Sequence, residues 1–282
     1  MQYNKISGFS DEISPEIDVQ FATLKKLGIE YFEPRGVDGT NISLLTEEQV
    51  RVLREKMDKA GIKASSIGSP IGKIKVTEDF TPHFEVFKHV VKTAKMLDCR
   101  FIRVFSFYHD GGEWTEEERT EVFRRLESMI AYAATEDVVL LHENEKDIYG
   151  DTVARCLDIM EHCSGTHFGC VFDPANFVQC GQDTKEAYEA LSPYIRYMHI
   201  KDARNSDRIV VPAGVGDGNL PYLLEKLFRS GYDGFLSLEP HLANFKGLSD
   251  LETDDLMSGL PEGGEGTFAL AHRSLCGILE TL

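Results

Sequence analysis

Short apolar runs alternate with longer segments of mixed polarity from one end of the chain to the other. Runs of this length, bounded by turn residues, are typical of buried strands, and the longer segments carry helical periodicity. The predicted strands cover residues 5–9, 29–32, 62–67, 101–105, 138–143, 167–173, 194–199 and 234–238. Eight strands that alternate with helices predict an α/β fold, a single (β/α)8 or TIM barrel with a parallel sheet.

The segments between the strands show the start and stop signals of helices. Thr-Glu-Glu-Gln at 46–49 and Thr-Glu-Glu-Glu at 115–118 are capping boxes, and Ser14 is placed to cap a helix that begins at Pro15. The predicted helices cover residues 15–27, 46–60, 82–97, 115–135, 151–162, 184–191, a segment that ends near 229, and 268–282.

The length of 282 residues fits one barrel domain, because α/β barrels often form single domains of about 250 residues. We therefore predict one domain over residues 1–282. Residues 247–266 hold several glycines and six acidic residues, without Lys or Arg. This segment is interpreted as a solvated surface loop or, more specifically, as a lid over the barrel mouth.

The composition narrows the functional classes. A formal charge of −17 would repel a phosphate backbone and argues against nucleic-acid binding. No apolar run approaches the roughly 18 residues that a membrane span needs, and the first residues form no signal-peptide core. Six cysteines without Cys-x-x-Cys spacing argue against a disulfide framework or a thiolate zinc site. The chain is therefore expected to be cytoplasmic and to act on a small molecule, and a homo-oligomer is left open.

Four predicted strands end in a side chain that can bind a metal ion. These side chains are Glu143, Asp173, His199 and Glu239. Parallel barrel strands bring their carboxyl ends to one face, which is where the active sites of such barrels lie. Each residue alone could equally be a helix cap or a structural group, but four at corresponding positions are hard to obtain by accident. Their predicted meeting point is interpreted as the active site.

Three carboxylates and one imidazole form a hard, oxygen-rich set of donors. Such a set favours Mn²⁺, Mg²⁺ or Co²⁺, and Zn²⁺ stays open. A divalent ion here would polarise two neighbouring oxygens of a hydroxy-ketone and stabilise the enediolate that forms when the proton between them leaves. Glu143 and Glu239 come from the fifth and eighth strands, so they can flank a substrate and act as acid and base.

Several further side chains are candidates for contacts near this point. Lys201 lies two residues after His199 and is expected to point inward with it, whereas Asp202 is out of phase and is expected to anchor a loop. His142 precedes Glu143 by one residue, so it points away and is interpreted as structural. Candidates for holding substrate are Asn176, His241 and, on a glycine-flanked loop, Lys73.

At these residues the chain resembles the sugar isomerase/epimerase family with the xylose isomerase-like barrel. That group includes ketose 3-epimerases, hydroxypyruvate isomerase, inosose dehydratase and endonuclease IV. The matching motifs are Gly-Phe-Ser-Asp-Glu at 8–12, Ser-Pro-Ile-Gly-Lys at 69–73, His-Glu-Asn-Glu at 142–145, Phe-Asp-Pro-Ala-Asn at 172–176, His-Ile-Lys-Asp at 199–202 and Leu-Glu-Pro-His at 238–241. The resemblance implies one divalent ion bound by Glu143, Asp173, His199 and Glu239, with the two glutamates as acid and base.

Departures from the family pattern limit the choice of substrate. Ketose 3-epimerases usually carry a histidine three residues after the metal-binding aspartate, where this chain has Asn176. They also carry an arginine shortly after the metal-binding histidine, for which Arg204 is an approximate match. Endonuclease IV needs additional histidines, and the segment 210–213 has no Asp-x-His pair. These departures weaken the assignment of either a free ketohexose or damaged DNA as the substrate.

Three functions remain open from the sequence. The first is a metal-dependent isomerase or epimerase that acts on a sugar or sugar-derived keto compound through an enediolate. The second is a lyase or dehydratase that uses the same site on an inosose or a 3-keto-glycoside. The third is a non-catalytic sugar-binding or partner subunit, against which the presence of both Glu143 and Glu239 argues.

Overall fold

Eight short parallel strands form the centre of the molecule. The computed structural model describes residue 3, residues 5–243 and residues 262–282. The barrel strands are β1 (Ile6–Gly8), β2 (Tyr31–Phe32), β3 (Lys63–Ala64), β4 (Phe101–Val104), β5 (Val139–Glu143), β6 (Phe168–Phe172), β7 (Ile195–Ile200) and β8 (Phe235–Leu238).

The strands follow one another around a ring. Six of them pair in parallel in the order β1-β8-β7-β6-β5-β4, and β2 pairs with β3. Backbone hydrogen bonds link these groups, among them one from the Glu33 N–H to the Gly8 carbonyl at 2.9 Å and one from the Ile67 N–H to the Phe101 carbonyl at 2.8 Å. The predicted α/β barrel is confirmed. The shortest regular strands are β1, β2 and β3, and the carboxyl ends of all eight point the same way.

Helices connect the strands. Their bounds are α1 (Ile17–Lys26), α2 (Glu47–Ala60), α3 (Phe80–Met96), α4 (Glu116–Thr135), α5 (Val153–Cys163), α6 (Pro174–Gln179), α7 (Thr184–Leu191), α8 (Leu220–Arg229) and α9 (Glu265–Thr281). Both predicted capping boxes are confirmed, with Thr46 and Gln49 at the start of α2 and Thr115 and Glu118 at the start of α4.

The start of α1 differs from the prediction. Ser14 does not cap this helix, because Glu16 occupies the N-cap position and the Ser14 hydroxyl accepts from the Glu16 N–H instead. The Ile17 N–H donates to the Asp38 carboxylate at 3.0 Å. A side chain distant in sequence therefore satisfies the first turn, which local pattern alone could not reveal.

Some small elements were not predicted. They are the six-residue helix α6 and two hairpins, one pairing Gly36–Val37 with Thr40–Asn41 and one pairing Asp202–Ala203 with Val210–Val211. The lid prediction for 247–266 falls outside the described residues up to 261. Its last residues lead into α9, which begins at Glu265. Among the described residues, no helix combines the length and apolar character needed to cross a bilayer.

The inward-facing side chains of β5 change from apolar to ionisable along the strand. On β5, Val139 and Leu141 belong to a buried apolar cluster together with Val171 and Tyr197. Because strand side chains alternate, the next inward residue after Val139 and Leu141 is Glu143. The apolar layer closes the lower part of the barrel and leaves the ionisable groups at its carboxyl end.

Candidate active site

The structure brings the four predicted strand-end residues together. One donor atom each from Glu143, Asp173, His199 and Glu239 lies within 4.8 Å of the others, and all four residues are buried. Strand register explains the meeting, since β5 pairs with β6, β6 with β7, and β7 with β8. Parallel neighbours in register place equivalent positions at one height in the barrel.

His199 lies at the centre of this cluster. Its Nδ1 atom is 2.8 Å from Glu143 Oε1, 3.1 Å from Glu239 Oε2 and 3.8 Å from Asp173 Oδ2. The other ring nitrogen, Nε2, faces away from the three carboxylates. Nδ1 is therefore the nitrogen that a cation in the cluster would contact.

Asp173 has two roles. Its Oδ1 accepts from the Asn176 N–H at 2.9 Å and caps helix α6, while Oδ2 faces the cluster. The Asn144 side chain fixes the backbone of Asp173, donating to its carbonyl at 2.8 Å and accepting from its N–H at 2.9 Å. The helix-cap and ligand interpretations of this carboxylate are thus compatible, because each uses a different oxygen.

Three basic side chains surround the cluster. Lys201 Nζ lies 3.1 Å from Asp173 Oδ2, Arg103 Nη1 lies 3.1 Å from Glu143 Oε2, and Arg35 Nη1 lies 3.4 Å from Glu239 Oε1. Arg35 is also paired with both oxygens of Asp11. The inward orientation of Lys201 matches the strand alternation.

A buried carboxylate lies on the other side of the histidine. Glu33 Oε2 is 3.4 Å from His199 Nε2 and accepts hydrogen bonds from the Tyr197 hydroxyl at 2.9 Å and the Ser237 hydroxyl at 2.8 Å. The Ser65 hydroxyl lies 2.8 Å from the Tyr197 hydroxyl and extends this polar network. A ligating histidine commonly directs its second nitrogen to such a carboxylate.

Burial and charge move the proton affinities of the cluster in different directions. Burial, with the charge of Glu239 in addition, raises the pKa of Glu143. Burial alone would raise the pKa of Glu239 too, but Lys201 and His199 outweigh it and hold that pKa well below its usual range. Burial alone would lower the pKa of His199, whereas Glu143, Glu239 and Glu33 together raise it. Without a cation, the carboxylates therefore draw a proton onto the imidazole.

The donor set fits a divalent metal ion. Glu143 Oε2 and Asp173 Oδ2 are buried, and each faces one basic group at 3.1 Å, Arg103 Nη1 and Lys201 Nζ respectively. Three buried carboxylates that meet at one point are costly unless cations balance their charge, and a divalent ion would add to the balance that these basic groups provide. Three carboxylates and one imidazole nitrogen supply the hard ligands that Mg²⁺ and Mn²⁺ prefer and that Zn²⁺ also accepts.

Two of the other predicted contact residues touch the cluster directly, and a third pairs with a neighbouring glutamate. Asn176 is buried and its side-chain amide lies 3.4 Å from Glu143 Oε1, and His241 Nε2 lies 3.4 Å from Glu239 Oε1. Lys73 lies beside this group, 3.2 Å from Glu145 Oε2 and over the ring of Phe105.

Arg204 is not brought to the cluster. Its side chain is 44% exposed and pairs with Asp207 in the hairpin that follows β7. Arg204 was compared with the arginine that ketose 3-epimerases usually carry shortly after the metal-binding histidine, but here the hairpin pairs its side chain with Asp207. Asp202 anchors a loop, as predicted: its carboxylate accepts from the N–H groups of Gly214, Gly216 and Gly218.

The sequence interpretation missed Arg35, Arg103, Glu33 and Asn144. Arg103 lies in the middle of an apolar strand. Glu33 follows β2, which has only two residues and therefore shows no clear alternation. A buried charge inside an apolar run is itself unusual. That exception was the available signal for Arg103, whereas Asn144 adjoins Glu143 and had no signal of its own.

Comparison with known proteins agrees with the fold. The family model described as xylose isomerase-like TIM barrel matches residues 21–257. A 3-dehydroshikimate dehydratase from Bacillus anthracis is 21% identical over 197 residues, which cover 68% of this chain and 68% of the relative.

Two solved structures share the whole architecture. The IOLI protein, solved with a zinc atom, has a TM-score of 0.77 at 17% identity and covers 98% of each chain. A D-allulose 3-epimerase from Methylomonas sp., in complex with D-allulose, has a TM-score of 0.75 at 15% identity and covers 100% of this chain and 98% of its own. At this identity the likeness concerns the fold. The match of the family model over most of the chain, together with the barrel, shows that the protein belongs to the xylose isomerase-like TIM barrel family.

Proposed function

We propose that the protein is a divalent-metal-dependent isomerase or epimerase for a sugar or sugar-derived keto compound. The observation that carries this proposal is the burial of Glu143 and Glu239 in one four-residue cluster. A binding protein needs metal donors only, whereas proton transfer at carbon needs an acid and a base on the same substrate. The two glutamates supply that pair.

The metal would be held by Glu143, Asp173, His199 and Glu239, and we propose Mn²⁺. When bound, such an ion polarises two neighbouring oxygens of a hydroxy-ketone and lowers the cost of removing the proton between them. The IOLI and D-allulose 3-epimerase structures support a site of this kind through a zinc atom and a bound ketose.

The protein groups carry out the proton movements. One glutamate takes a proton from the carbon beside the carbonyl, and the other, which starts protonated, delivers its own proton to the same carbon from the opposite face or to the neighbouring carbon. We assign the holding of substrate oxygens to Lys201, Asn176 and His241, which lie within 3.4 Å of cluster atoms. Lys73, at the edge of the group, is assigned the same role.

A second candidate keeps the site and changes the outcome. If the enediolate carries a leaving group on its β-carbon, elimination follows, and the enzyme is a lyase or dehydratase of an inosose or 3-keto-glycoside. The sequence relationship to 3-dehydroshikimate dehydratase favours this candidate. The two candidates share their first step.

Proton exchange with solvent tests that shared step. The metal-loaded protein is incubated in deuterated water with a panel of ketoses, keto acids and inososes, and deuterium incorporation is followed by NMR. Exchange into at least one substrate, abolished by chelation, is the expected result, whichever product forms. No metal-dependent exchange across the panel would contradict the proposal and favour a non-catalytic sugar-binding or partner subunit.

A further inference from the structure

Arg103 extends into the space between the two glutamates. Its Nη1 atom is 3.1 Å from Glu143 Oε2 and 3.7 Å from Glu239 Oε1. The side chain is 4% exposed, and its Nε atom has no hydrogen-bond partner among the described residues. Arginine is rarely buried in a strand unless it is paired, so its presence at this point requires a specific explanation.

Two aromatic rings hold the guanidinium in place. Its Cζ atom lies 4.8 Å from the ring centre of Phe9 and 4.9 Å from that of Phe105. The second terminal nitrogen, Nη2, donates to the Gly68 carbonyl at 3.3 Å. These contacts come from the β1 end, the loop after β3 and the β4 end, so the group is fixed before any substrate arrives.

We infer that Arg103 is a catalytic residue that donates a hydrogen bond to the oxyanion formed during proton transfer. The inference rests on the proposed function and deepens it. As a glutamate takes the proton, the electrons of the carbon–hydrogen bond form a carbon–carbon double bond, and the carbonyl electrons move onto oxygen. An N–H of Arg103 meets that oxygen, and the step reverses when a glutamate returns the proton, so no oxidant or further reactant is needed.

The side-chain type suits this role. A guanidinium keeps its positive charge in proteins and cannot itself take the proton that Glu143 or Glu239 moves. Fixed donors aimed at developing charge lower a barrier more than groups that must first reorient. A purely structural role, neutralising the two carboxylates, would also place the guanidinium between them, but it would not need the aromatic packing that fixes its orientation.

Binding of an enediolate mimic tests the inference without turnover. Glycolohydroxamate is planar and carries negative charge on oxygen when it binds, whereas glycolamide has a similar shape and stays neutral. Titration calorimetry would compare both compounds on Mn²⁺-loaded wild type, Arg103→Met, Arg103→Lys and the control Arg229→Met. The Arg229 side chain lies on α8, is 73% exposed and pairs with Glu225 of the same helix. Metal content is measured in every sample.

We expect wild type and Arg229→Met to prefer the hydroxamate strongly. Arg103→Met should lose about 10²–10³-fold of that preference, the usual effect of removing one oxyanion donor, with metal content unchanged. Arg103→Lys, which keeps the charge without the planar fork, should lose less, and it keeps the test decisive if Arg103→Met does not fold.

The outcomes distinguish a failure of the inference about Arg103 from a failure of the proposed function. An unchanged preference in the folded Arg103 variants, with wild type selective, would overturn the inference and leave the proposed function standing. Equal binding of both compounds by metal-loaded wild type would remove the enediolate chemistry itself, and the proposed function would fail together with the inference.

Discussion

At the scale of single residues, Glu143 and Glu239 share one buried site but differ in surroundings. Arg103 and His199 contact both glutamates, whereas Lys201 and Arg35 pair with Glu239. Their pKa values move in opposite directions for the reasons given above. Groups whose environments separate their proton affinities are typical of an acid and base pair.

Replacing either glutamate by glutamine tests the pair. Glu143→Gln and Glu239→Gln are nearly isosteric, so we expect both variants to fold and to lose about 10²–10⁴-fold in turnover, as for a positioned general base. Assays use saturating metal with occupancy measured, and Glu161→Gln on the exposed face of α5 is the control. Full turnover in both variants with metal bound would contradict the two-carboxylate mechanism.

Glu33 offers a second prediction at this scale. Its carboxylate faces His199 Nε2 and is held by two hydroxyl groups. Glu33→Gln should lower metal affinity about 10- to 100-fold, because partners of this kind orient the ligand and raise its basicity. Ser237→Ala removes one hydroxyl and should have a smaller effect. Competition titration with a chromophoric chelator measures both, and an unchanged affinity in Glu33→Gln would show that the contact does not support the metal site.

At the scale of elements, the loop between β7 and α8 depends on Asp202. Its carboxylate accepts from four backbone N–H groups, those of Ala203, Gly214, Gly216 and Gly218. A Cβ on Gly216 would lie 2.4 Å from Asp202 Oδ1, so the loop follows the carboxylate closely. The loop and the acceptor form one unit.

Asp202→Ala should therefore release this loop. Four backbone N–H groups would lose their acceptor, and each charge-assisted bond contributes about 1.5–3 kcal/mol. We expect faster hydrogen exchange over 212–219, with slow exchange retained in the barrel strands. In Asp202→Asn, which keeps one carbonyl oxygen, the exchange rate over 212–219 should lie between those of wild type and Asp202→Ala. Exchange rates equal to wild type in Asp202→Ala would show that other contacts hold the loop.

The loop after β3 has a pH-sensitive contact. The Gly72 N–H donates to His83 Nε2 at 2.8 Å, which requires a neutral ring. Burial, with the charge of Arg125 in addition, lowers the pKa of His83 to about 4. Gly72 has a φ of +96° and a Cβ there would lie 2.1 Å from the Phe105 carbonyl oxygen, so the loop has little freedom to adapt.

Stability should fall in acid partly through His83. The unfolded chain binds a proton near pH 6.5 and the folded chain only near pH 4, so the free energy of unfolding decreases as pH falls through this window. His83→Gln keeps an acceptor and does not titrate. Denaturant unfolding at pH 7 and pH 5 should show a larger loss for wild type than for His83→Gln. Equal losses would mean that this ring does not contribute.

At the scale of the whole molecule, repeated βα units and strand-end chemistry were readable from the sequence. The alternation that places Glu143 above Val139 and Leu141 is local, and so is the alternation that turns Lys201 inward. Barrel topology then converts four local patterns into one site, because parallel neighbours bring their ends together. The fold and the meeting of these four side chains were predictable for this reason.

What the sequence could not supply was contact between distant segments. The Asp38 carboxylate that satisfies the Ile17 N–H, and the Phe9 ring that packs against Arg103, come from different barrel units. Arg204 shows the reverse case, in which a spacing resembled a family pattern while the local hairpin directed the side chain outward. Pairwise tertiary geometry, rather than periodicity, decided these positions.

Metal content tests the central claim most directly, since every function proposed for the site depends on the four strand-end groups acting together. Purified protein and the variants Asp173→Ala and His199→Ala would be loaded with Mn²⁺, dialysed and analysed by inductively coupled plasma mass spectrometry, with circular dichroism to confirm folding. We expect about one ion per wild-type chain, with donors at about 2.0–2.3 Å, and a large loss of the ion in both folded variants. Undiminished occupancy in Asp173→Ala and His199→Ala, or no stoichiometric ion in wild type, would contradict the assignment of these residues as a metal centre.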